Sequence, residues 1–191
     1  MEPILPPGTG WIEVICGGMF SGKTEELLRR IRRAQIAGQR IRLFKPDIDQ
    51  RYHPTAVVSH NNIALDAQPV PNSDAIYLLS AEADVVGIDE AQFLDMGIVE
   101  VANRLADEGK RVIVAGLDMD YRGRPFGPMP YLMAVAEFVS KLHAVCVYTG
   151  GLAHYSLRHA SPEESTVVLG GKELYQPVSR KVFCSLRQRY A

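Results

Sequence analysis

The sequence contains little cysteine, no surplus of either charge and no long apolar run. Its three cysteines (Cys16, Cys146 and Cys184) are too few and too scattered to build a disulfide framework. No apolar stretch approaches the roughly 20 residues that a membrane-spanning helix requires. The first residues also lack the basic and apolar blocks of a secretory signal peptide. We therefore expect a cytoplasmic protein that does not associate with a membrane.

Acidic and basic residues are nearly balanced, with 21 Lys and Arg against 22 Asp and Glu in 191 residues. A protein that holds nucleic acid by bulk charge is expected to be clearly basic, so the balance argues against a nucleic-acid partner. Four arginines lie between residues 29 and 33, but Glu25 and Glu26 precede Arg29 and Arg30 by four residues. That spacing favours paired, solvated charges on a helix.

Short apolar runs alternate with segments of helical periodicity along most of the chain. Buried strands are predicted at residues 11–16, 41–44, 63–70, 84–89, 111–116 and 142–147. Helices are predicted at residues 24–37, 96–108 and 131–138, a short helix after Asn72 or Ser73, and a Gly- and Pro-rich loop at 118–130. This alternation is typical of an α/β domain with a mostly parallel central sheet. We assign that domain to residues 11–147 and a small lobe to residues 148–191.

Residues 17–24 match the phosphate-binding motif G-x-x-x-x-G-K-[ST]. The motif follows a predicted strand and opens a predicted helix, where backbone N–H groups and the helix dipole can hold phosphate. Lys23 is expected to reach the β- and γ-phosphates of ATP, and the Thr24 hydroxyl to bind Mg²⁺. The predicted ATP-binding residues in this loop are Gly17, Gly18, Met19, Phe20, Ser21, Gly22, Lys23 and Thr24. The alternative is a glycine-rich turn that an incidental Lys-Thr pair caps.

A second motif, V-V-G-I-D-E at residues 85–90, supplies two acids at the end of a predicted strand. A metal–phosphate site needs a carboxylate at the end of a strand next to the phosphate-binding motif, and Asp89 fits the Mg²⁺ side of such a site. Glu90 points differently and can act as the base for an acceptor hydroxyl. The alternative is a pair of solvated acids that precede a helix.

Several ordered blocks are together more specific than the phosphate-binding motif alone. They are G-M-F-S-G-K-T at 18–24, K-P-D-I-D-Q-R-Y at 45–52, I-D-E-A-Q-F at 88–93, G-L-D-M-D-Y-R-G-R-P-F-G at 116–127, K-L at 141–142 before A-V-C at 144–146, and L-G-G-K-E-L-Y at 169–175. With these blocks, the chain resembles the type II, or cytosolic-type, thymidine kinase family from residue 11 to about residue 183.

The resemblance implies a RecA-like P-loop α/β domain with a small C-terminal lobe, whose extended loop covers the nucleoside. It implies transfer of the γ-phosphoryl group of Mg²⁺-bound ATP to the 5′-hydroxyl of thymidine, and of deoxyuridine, which yields dTMP and ADP in nucleotide salvage. It also implies a homotetramer that thymidine triphosphate inhibits by feedback.

Site residues follow from the resemblance position by position. Glu90 resembles the catalytic base, and Asp49 and Arg51 match the active-site acid and arginine. Asp89 and Gln92, both in the I-D-E-A-Q-F block, are expected to bind ATP at its phosphates. The nucleoside wall and its cover are expected from Met19, Phe93, Leu117, Tyr121, Phe126, Ser156 and Tyr175. Each of these residues could instead be ordinary core or a loop ion pair.

Most members of this family hold the small lobe with a structural zinc ion. Here Cys146 fits the first ligand position, but the other three positions hold Thr149, Ser179 and Val182. Tetrahedral zinc needs four donors, so we expect no structural zinc. An alternative set of donors, without a familiar spacing, is Cys146 with Cys184, His154 and His159.

Two other function classes share the phosphate-binding motif. One is a different RecA-like P-loop ATPase, such as a nucleic-acid-dependent motor, against which the balanced charge argues. The other is a degenerate nucleotide-binding regulatory protein, against which the intact Lys23, Thr24, Asp89 and Glu90 argue. A G-protein is less favoured, because the sequence has no N-K-x-D motif for guanine.

Overall fold

The computed structural model describes residues 8–48, 56–58, 64–158 and 174–187. The strands are β1 (Trp11–Gly17), β2 (Ile41–Pro46), β3 (Ala56–Val58), β4 (Ala64–Asp66), β5 (Gln68–Val70), β6 (Val85–Ile88), β7 (Arg111–Gly116), β8 (Phe138–Leu142), β9 (Ala144–Val145), β10 (Leu152–Ala153), β11 (Tyr155–Arg158) and β12 (Tyr175–Val178). The helices are α1 (Lys23–Ile36), α2 (Ser73–Leu79), α3 (Ile98–Asp107), α4 (Met129–Val135) and α5 (Arg180–Arg187), with a 3₁₀ turn at Ala91–Phe93.

Six strands form the central sheet in the order β5-β2-β6-β7-β1-β8, and every neighbouring pair is parallel. The predicted α/β fold with a mostly parallel sheet is therefore confirmed. The strand that leads into the phosphate-binding motif, β1, lies between β7 and β8. Its carboxyl end thus shares one edge of the sheet with the ends of β6 and β7, where open α/β folds bind ligands.

Helices cover both faces of this sheet, which explains why its strands are almost continuously apolar. On one face, α1 buries Leu27, Leu28 and Ile31, part of the apolar side that the sequence predicts. A Cβ on Gly87 of β6 would lie 2.9 Å from the Ile31 Cδ1 atom, so glycine lets α1 approach the sheet closely. Helices α2, α3 and α4 cover the other face. In the described part of the chain, no helix combines the length and the apolar character that crossing a membrane requires.

A charged side chain, Glu13, lies inside the buried β1 strand. Its carboxylate pairs with the Arg30 guanidinium at 2.7 Å and with the Arg111 guanidinium at 2.6 Å. Burial opposes ionisation of Glu13, but hydrogen bonds from Arg111 and Trp11 and the charges of the two arginines outweigh it and lower its pKa. The predicted Glu26–Arg30 helix pair is present at 2.8 Å, yet Arg30 is largely buried rather than solvated. This network ties α1, the helix behind the phosphate-binding loop, to the sheet.

The chain after α4 differs from the sequence prediction. The helix ends at Val135 and the edge strand β8 covers Phe138–Leu142, whereas a helix to residue 138 and a strand at 142–147 were expected. The reason is pairing: β8 lies in parallel register with β1, with Leu142 opposite Gly17. Likewise, the expected strand at 63–70 divides into β4, which pairs with β3, and β5, which joins the central sheet.

A small lobe follows the central sheet. It contains the antiparallel pairs β9–β10 and β11–β12 and the helix α5. The Tyr155 and Phe183 rings stack at 4.4 Å in its apolar cluster, which also contains Cys146. Phe20, from the phosphate-binding loop, packs against the same cluster. The lobe is therefore anchored to the loop that is expected to hold ATP. The 15 residues between β11 and β12, at 159–173, lie outside the described residues.

Candidate active site

The phosphate-binding loop has a backbone shape that its glycines make possible. Gly17 has a φ of 144°, and a Cβ there would lie 2.2 Å from the Leu142 carbonyl oxygen of the neighbouring strand. The loop then turns through Phe20, which has a φ of 62°, and α1 begins at Lys23. The first N–H groups of a helix have no carbonyl partner in a preceding turn, and the helix dipole gives the N-terminus of this 14-residue helix a partial positive charge. The loop therefore has the shape and polarity of an anion site.

Lys23 is buried and folds back over the loop. Its Nζ donates to the Gly18 carbonyl oxygen at 2.8 Å, and the Ser21 hydroxyl donates to the same oxygen at 2.8 Å. A carbonyl oxygen is a weaker partner for an ammonium group than a phosphate oxygen is. Lys23 is thus placed to exchange this contact for one with a bound phosphate.

Thr24 and Asp89 meet at the edge of the sheet, as the two motifs predict. The Thr24 hydroxyl donates to Asp89 Oδ2 at 3.1 Å. The expectation that their strands are neighbours is wrong, because β7 lies between β1 and β6. The contact forms because α1 packs across β1, β7 and β6 and carries Thr24 to the end of β6. The packing of α1 on the sheet therefore brings Thr24 to Asp89, although β1 and β6 are not neighbouring strands.

The oxygen donors at this point fit Mg²⁺. One carboxylate and one hydroxyl beside a phosphate site match the way Mg²⁺ binds through few protein ligands and substrate phosphates. Burial raises the pKa of Asp89, and the adjacent Glu90 carboxylate raises it further. A divalent cation would stabilise the charged form of such a carboxylate. Among the described residues, no group of three or more His, Cys, Asp or Glu side chains could hold a metal by itself.

Glu90 follows directly, in a left-handed conformation with a φ of 52°. Its backbone N–H donates to Asp89 Oδ1 at 3.0 Å. The Gln92 side chain donates its Nε2 hydrogen to Glu90 Oε2 and accepts a hydrogen bond from the Leu117 N–H at 2.9 Å. The structure therefore places the amide of Gln92 between Glu90 and the chain that follows β7.

Phe93 lies in the turn that follows Glu90, and its N–H donates to the Glu90 carbonyl oxygen at 3.1 Å. Phe93 and Phe126 pack edge to face with ring centroids 5.7 Å apart. The Leu117 backbone is joined to the same turn by its hydrogen bond to Gln92. All three side chains are partly exposed, so they can present apolar surface to a ligand. These contacts link three of the residues predicted for the nucleoside wall to the turn that begins at the predicted base.

A second group of the predicted nucleoside residues connects the phosphate-binding loop to the lobe. The Met19 N–H donates to the Ser156 hydroxyl on β11 at 3.0 Å. Tyr121 lies beneath the Arg158 guanidinium at 3.9 Å from its ring centroid, and Arg158 pairs across the sheet with Tyr175 of β12. The sequence reasoning missed Arg158, because nothing in its local pattern marks an arginine buried against a tyrosine. The predicted Asp49 and Arg51 lie outside the described residues.

An ion pair that the sequence reasoning missed spans the end of β1. Lys141 Nζ on β8 lies 2.7 Å from the carboxylate of Asp118, whose side chain is only 4% exposed. Both residues lie in the sequence blocks that carry the family resemblance, and this position is the only feature of the sequence that could have marked them. The hydrogen bond with Asp118 raises the pKa of Lys141. Burial, followed by the Asp118 charge, raises the pKa of Cys16 to about 11, so this thiol stays protonated near neutral pH.

The positions that the family resemblance matches to zinc ligands lie in the lobe. The Thr149 side chain and the backbones of Ser179, Tyr148 and Thr149 make hydrogen bonds to the Cys146 thiol, which outweigh burial and lower its pKa to about 6. The Gly150 N–H also donates to the Cys146 carbonyl oxygen at 2.9 Å. Hydrogen bonds and packing thus connect these segments in the described structure.

Comparison with known proteins gives consistent results. The family model described as thymidine kinase matches residues 10–183. A thymidine kinase from Rhodothermus sp. (strain ITI 518) is 58% identical over 186 residues, which cover 96% of this chain and 87% of the relative. Thymidine kinases from Porphyromonas gingivalis (strain ATCC 33277) and Bacteroides thetaiotaomicron are 59% and 53% identical, over 91% and 94% of this chain and 85% and 89% of theirs.

A solved structure, AMPPCP-bound DnaA from Aquifex aeolicus, aligns with 68% of this chain and 39% of its own at a TM-score of 0.41 and 14% identity. That likeness is too low to bear on function. The family match spans most of the chain, including the phosphate-binding loop, the Asp89–Glu90 pair and both groups of predicted nucleoside residues. The chain therefore belongs to the thymidine kinase family.

Proposed function

We propose that this protein transfers the γ-phosphoryl group of ATP to the 5′-hydroxyl of thymidine and yields dTMP and ADP. The observation that carries the proposal is the meeting of two sequence motifs at one edge of the sheet, with the Thr24 hydroxyl 3.1 Å from Asp89 and Glu90 next in the chain. Family membership supplies the nucleoside as acceptor. A motor or a regulatory module would not need a base for an acceptor hydroxyl.

Phosphoryl transfer asks the protein for positioning and charge neutralisation rather than covalent chemistry. The loop N–H groups and Lys23 would hold the β- and γ-phosphates, and Thr24 and Asp89 would hold Mg²⁺. When bound, Mg²⁺ supplies positive charge that offsets the charge on the phosphate oxygens. We assign Arg51 the same neutralising task near the transferred group, with Asp49 beside it.

Glu90 would accept the proton of the 5′-hydroxyl as that oxygen bonds to the γ-phosphorus. The bond between the γ-phosphorus and the bridging oxygen of ADP breaks, and its electron pair leaves with ADP. The carboxylate needs only hydrogen-bonding distance and a fixed direction for this step. The nucleoside would lie against Phe93, Leu117, Phe126 and Met19, under a cover that Ser156, Tyr121 and Tyr175 help to hold.

The direct test is incubation of the protein with ATP and Mg²⁺ and each of five nucleosides: thymidine, deoxyuridine, deoxycytidine, deoxyadenosine and deoxyguanosine. We expect monophosphate product from thymidine, and from deoxyuridine, with none from either purine nucleoside, as measured by chromatography of the products. ATP without nucleoside controls for plain hydrolysis. ATP binding without product from any nucleoside would contradict the proposal and favour a regulatory nucleotide-binding protein.

We further propose that the lobe needs no structural zinc, because three of the four ligand positions hold Thr149, Ser179 and Val182. The Tyr155–Phe183 stack and the hydrogen bonds around Cys146 would hold the lobe instead. We expect far less than one zinc ion per purified chain by elemental analysis, and a melting temperature that a chelator does not change. About one zinc per chain, with a lower melting temperature after chelation, would overturn this proposal.

Family resemblance carries three finer proposals. The protein assembles as a homotetramer, thymidine triphosphate inhibits it by feedback, and it works in the cytoplasm. We also propose that residues 11–147 form the ATP-binding domain and residues 148–191 the lobe, although Ala144 and Cys146 already pack in the lobe's apolar cluster. Sedimentation with and without thymidine triphosphate would measure the assembly state and the binding of the inhibitor together.

A further inference from the structure

Gln92 is a buried amide, 3% exposed, that uses both ends of its side chain. Its Nε2 group donates to the Glu90 carboxylate and its Oε1 atom accepts from the Leu117 N–H at 2.9 Å. The orientation of the amide follows from its neighbours. The reverse orientation would set an oxygen against a carboxylate and an NH₂ group against an N–H.

Two glycines pack closely against Gln92, one against its side-chain amide and one against its backbone. A Cβ on Gly116 would lie 2.8 Å from Gln92 Oε1, and a Cβ on Gly127 would lie 2.4 Å from the Gln92 backbone oxygen. A side chain at position 116 or 127 would therefore displace Gln92. The chain that follows β7 is folded closely around this one residue, which limits the positions that its side chain can take.

Glu90 has a side chain whose direction a hydrogen-bond partner such as Gln92 can fix. It sits in a left-handed backbone conformation that a residue with a Cβ adopts only when its surroundings impose it. Its side chain is partly exposed, so water and substrate can reach the carboxylate. The hydrogen bond from Gln92 restricts the direction of that carboxylate.

We propose that Gln92 is a positioning residue, which fixes the Glu90 carboxylate relative to the nucleoside wall by bridging it to the backbone of Leu117. The inference rests on the proposed function, because it assumes that Glu90 is the base and that Leu117 borders the nucleoside. It assigns Gln92 a role toward the acceptor rather than toward the phosphates of ATP.

Two substitutions of Gln92 distinguish the effect of its hydrogen bond to Glu90 from that of its hydrogen bond with Leu117. Gln92→Glu keeps an oxygen for the Leu117 N–H but replaces the amide donor with a second carboxyl group, which either repels the Glu90 carboxylate or shares a proton with it, so that Glu90 is a poorer base in both cases. We expect kcat to fall about 10²-fold while KM for thymidine and the Kd for Mg²⁺-ATP stay within twofold of wild type. Gln92→Met has similar length but bonds neither partner, so KM for thymidine should also rise, roughly tenfold. Product formation from thymidine gives kcat and KM, and calorimetry gives the Kd.

A double-mutant cycle distinguishes positioning from a general structural role. If Gln92 acts through Glu90, then adding Gln92→Glu to Glu90→Gln should change kcat by less than twofold. A structural defect would instead multiply the two losses. The matched control is Asn103→Asp, another amide-to-acid change, at a residue whose side chain bonds only locally to the Val99 carbonyl oxygen on α3. We expect wild-type kcat for that variant.

The outcomes are separable. If wild type phosphorylates thymidine and Gln92→Glu keeps the wild-type kcat, or if the losses multiply in the double mutant, the positioning role is wrong and the proposed function stands. If wild type binds Mg²⁺-ATP but phosphorylates no nucleoside, the proposed function fails and the role of Gln92 fails with it. A kcat loss that disappears in the Glu90→Gln background supports the positioning role.

Discussion

Replacing Lys23 with alanine is expected to weaken Mg²⁺-ATP binding and to lower kcat by roughly 10²–10³-fold. The ammonium group is buried and lies 2.8 Å from the Gly18 carbonyl oxygen, within the loop that would surround the phosphates. It is thus placed to neutralise charge in both the bound and the transferring states of the triphosphate. Calorimetry with Mg²⁺-ATP and steady-state kinetics with thymidine measure the two effects separately.

Lys110→Ala is the matched control for this prediction. Lys110 also donates to backbone carbonyls, those of Ala81 and Ala83 at 3.0 and 3.1 Å, but it precedes β7 at the opposite edge of the sheet. We expect wild-type kinetics from that variant. Normal ATP binding and turnover in Lys23→Ala would contradict the assignment of the whole phosphate-binding loop.

The Glu90→Gln substitution is expected to leave the Kd for Mg²⁺-ATP within about twofold of wild type and to lower kcat by roughly 10²–10⁴-fold. Glutamine has the same size and can still accept the hydrogen bond from Gln92, so the left-handed turn should persist. What the variant loses is the carboxylate that receives the proton of the 5′-hydroxyl. Thymidine turnover and ATP calorimetry, measured on the same preparation, test both halves of the expectation.

Glu100→Gln serves as the control for that variant, because Glu100 is an exposed carboxylate on α3. It should retain full turnover. Unchanged turnover in Glu90→Gln would remove Glu90 from the role of base, and a large loss of ATP affinity would place it among the phosphate or metal ligands instead.

Local sequence patterns were sufficient for the parts of this protein that short segments determine. The phosphate-binding loop connects a strand to a helix, as its motif predicts. Its glycines permit the positive φ angles that this connection needs. The Asn72 side chain accepts from the Ala75 N–H at 3.1 Å and starts α2 at the expected place. The apolar periodicity of residues 24–37 predicted the buried side of α1, because residues three or four positions apart share one face of a helix. Each of these features depends on residues a few positions apart.

Tertiary structure decided what depends on distant pairing. The sequence did not show that β7 separates β1 from β6, or that Phe138–Leu142 would leave the preceding helical pattern to pair with β1. Strand order is set by packing the whole sheet, and no short segment encodes it. The lobe shows a related case, since only the folded chain brings Ser179 to the Cys146 thiol, 33 residues away.

The candidate site divides in the same way. The sequence by itself determined the chemistry-bearing types, Lys23, Thr24, Asp89 and Glu90, because motifs with fixed spacing place them. Only the tertiary structure joined Gln92 to Leu117, which lie 25 residues apart. A buried amide takes whatever partners the fold brings to it, since leaving its hydrogen bonds unmade is costly. Its role therefore becomes visible only after the strands and loops around it have packed.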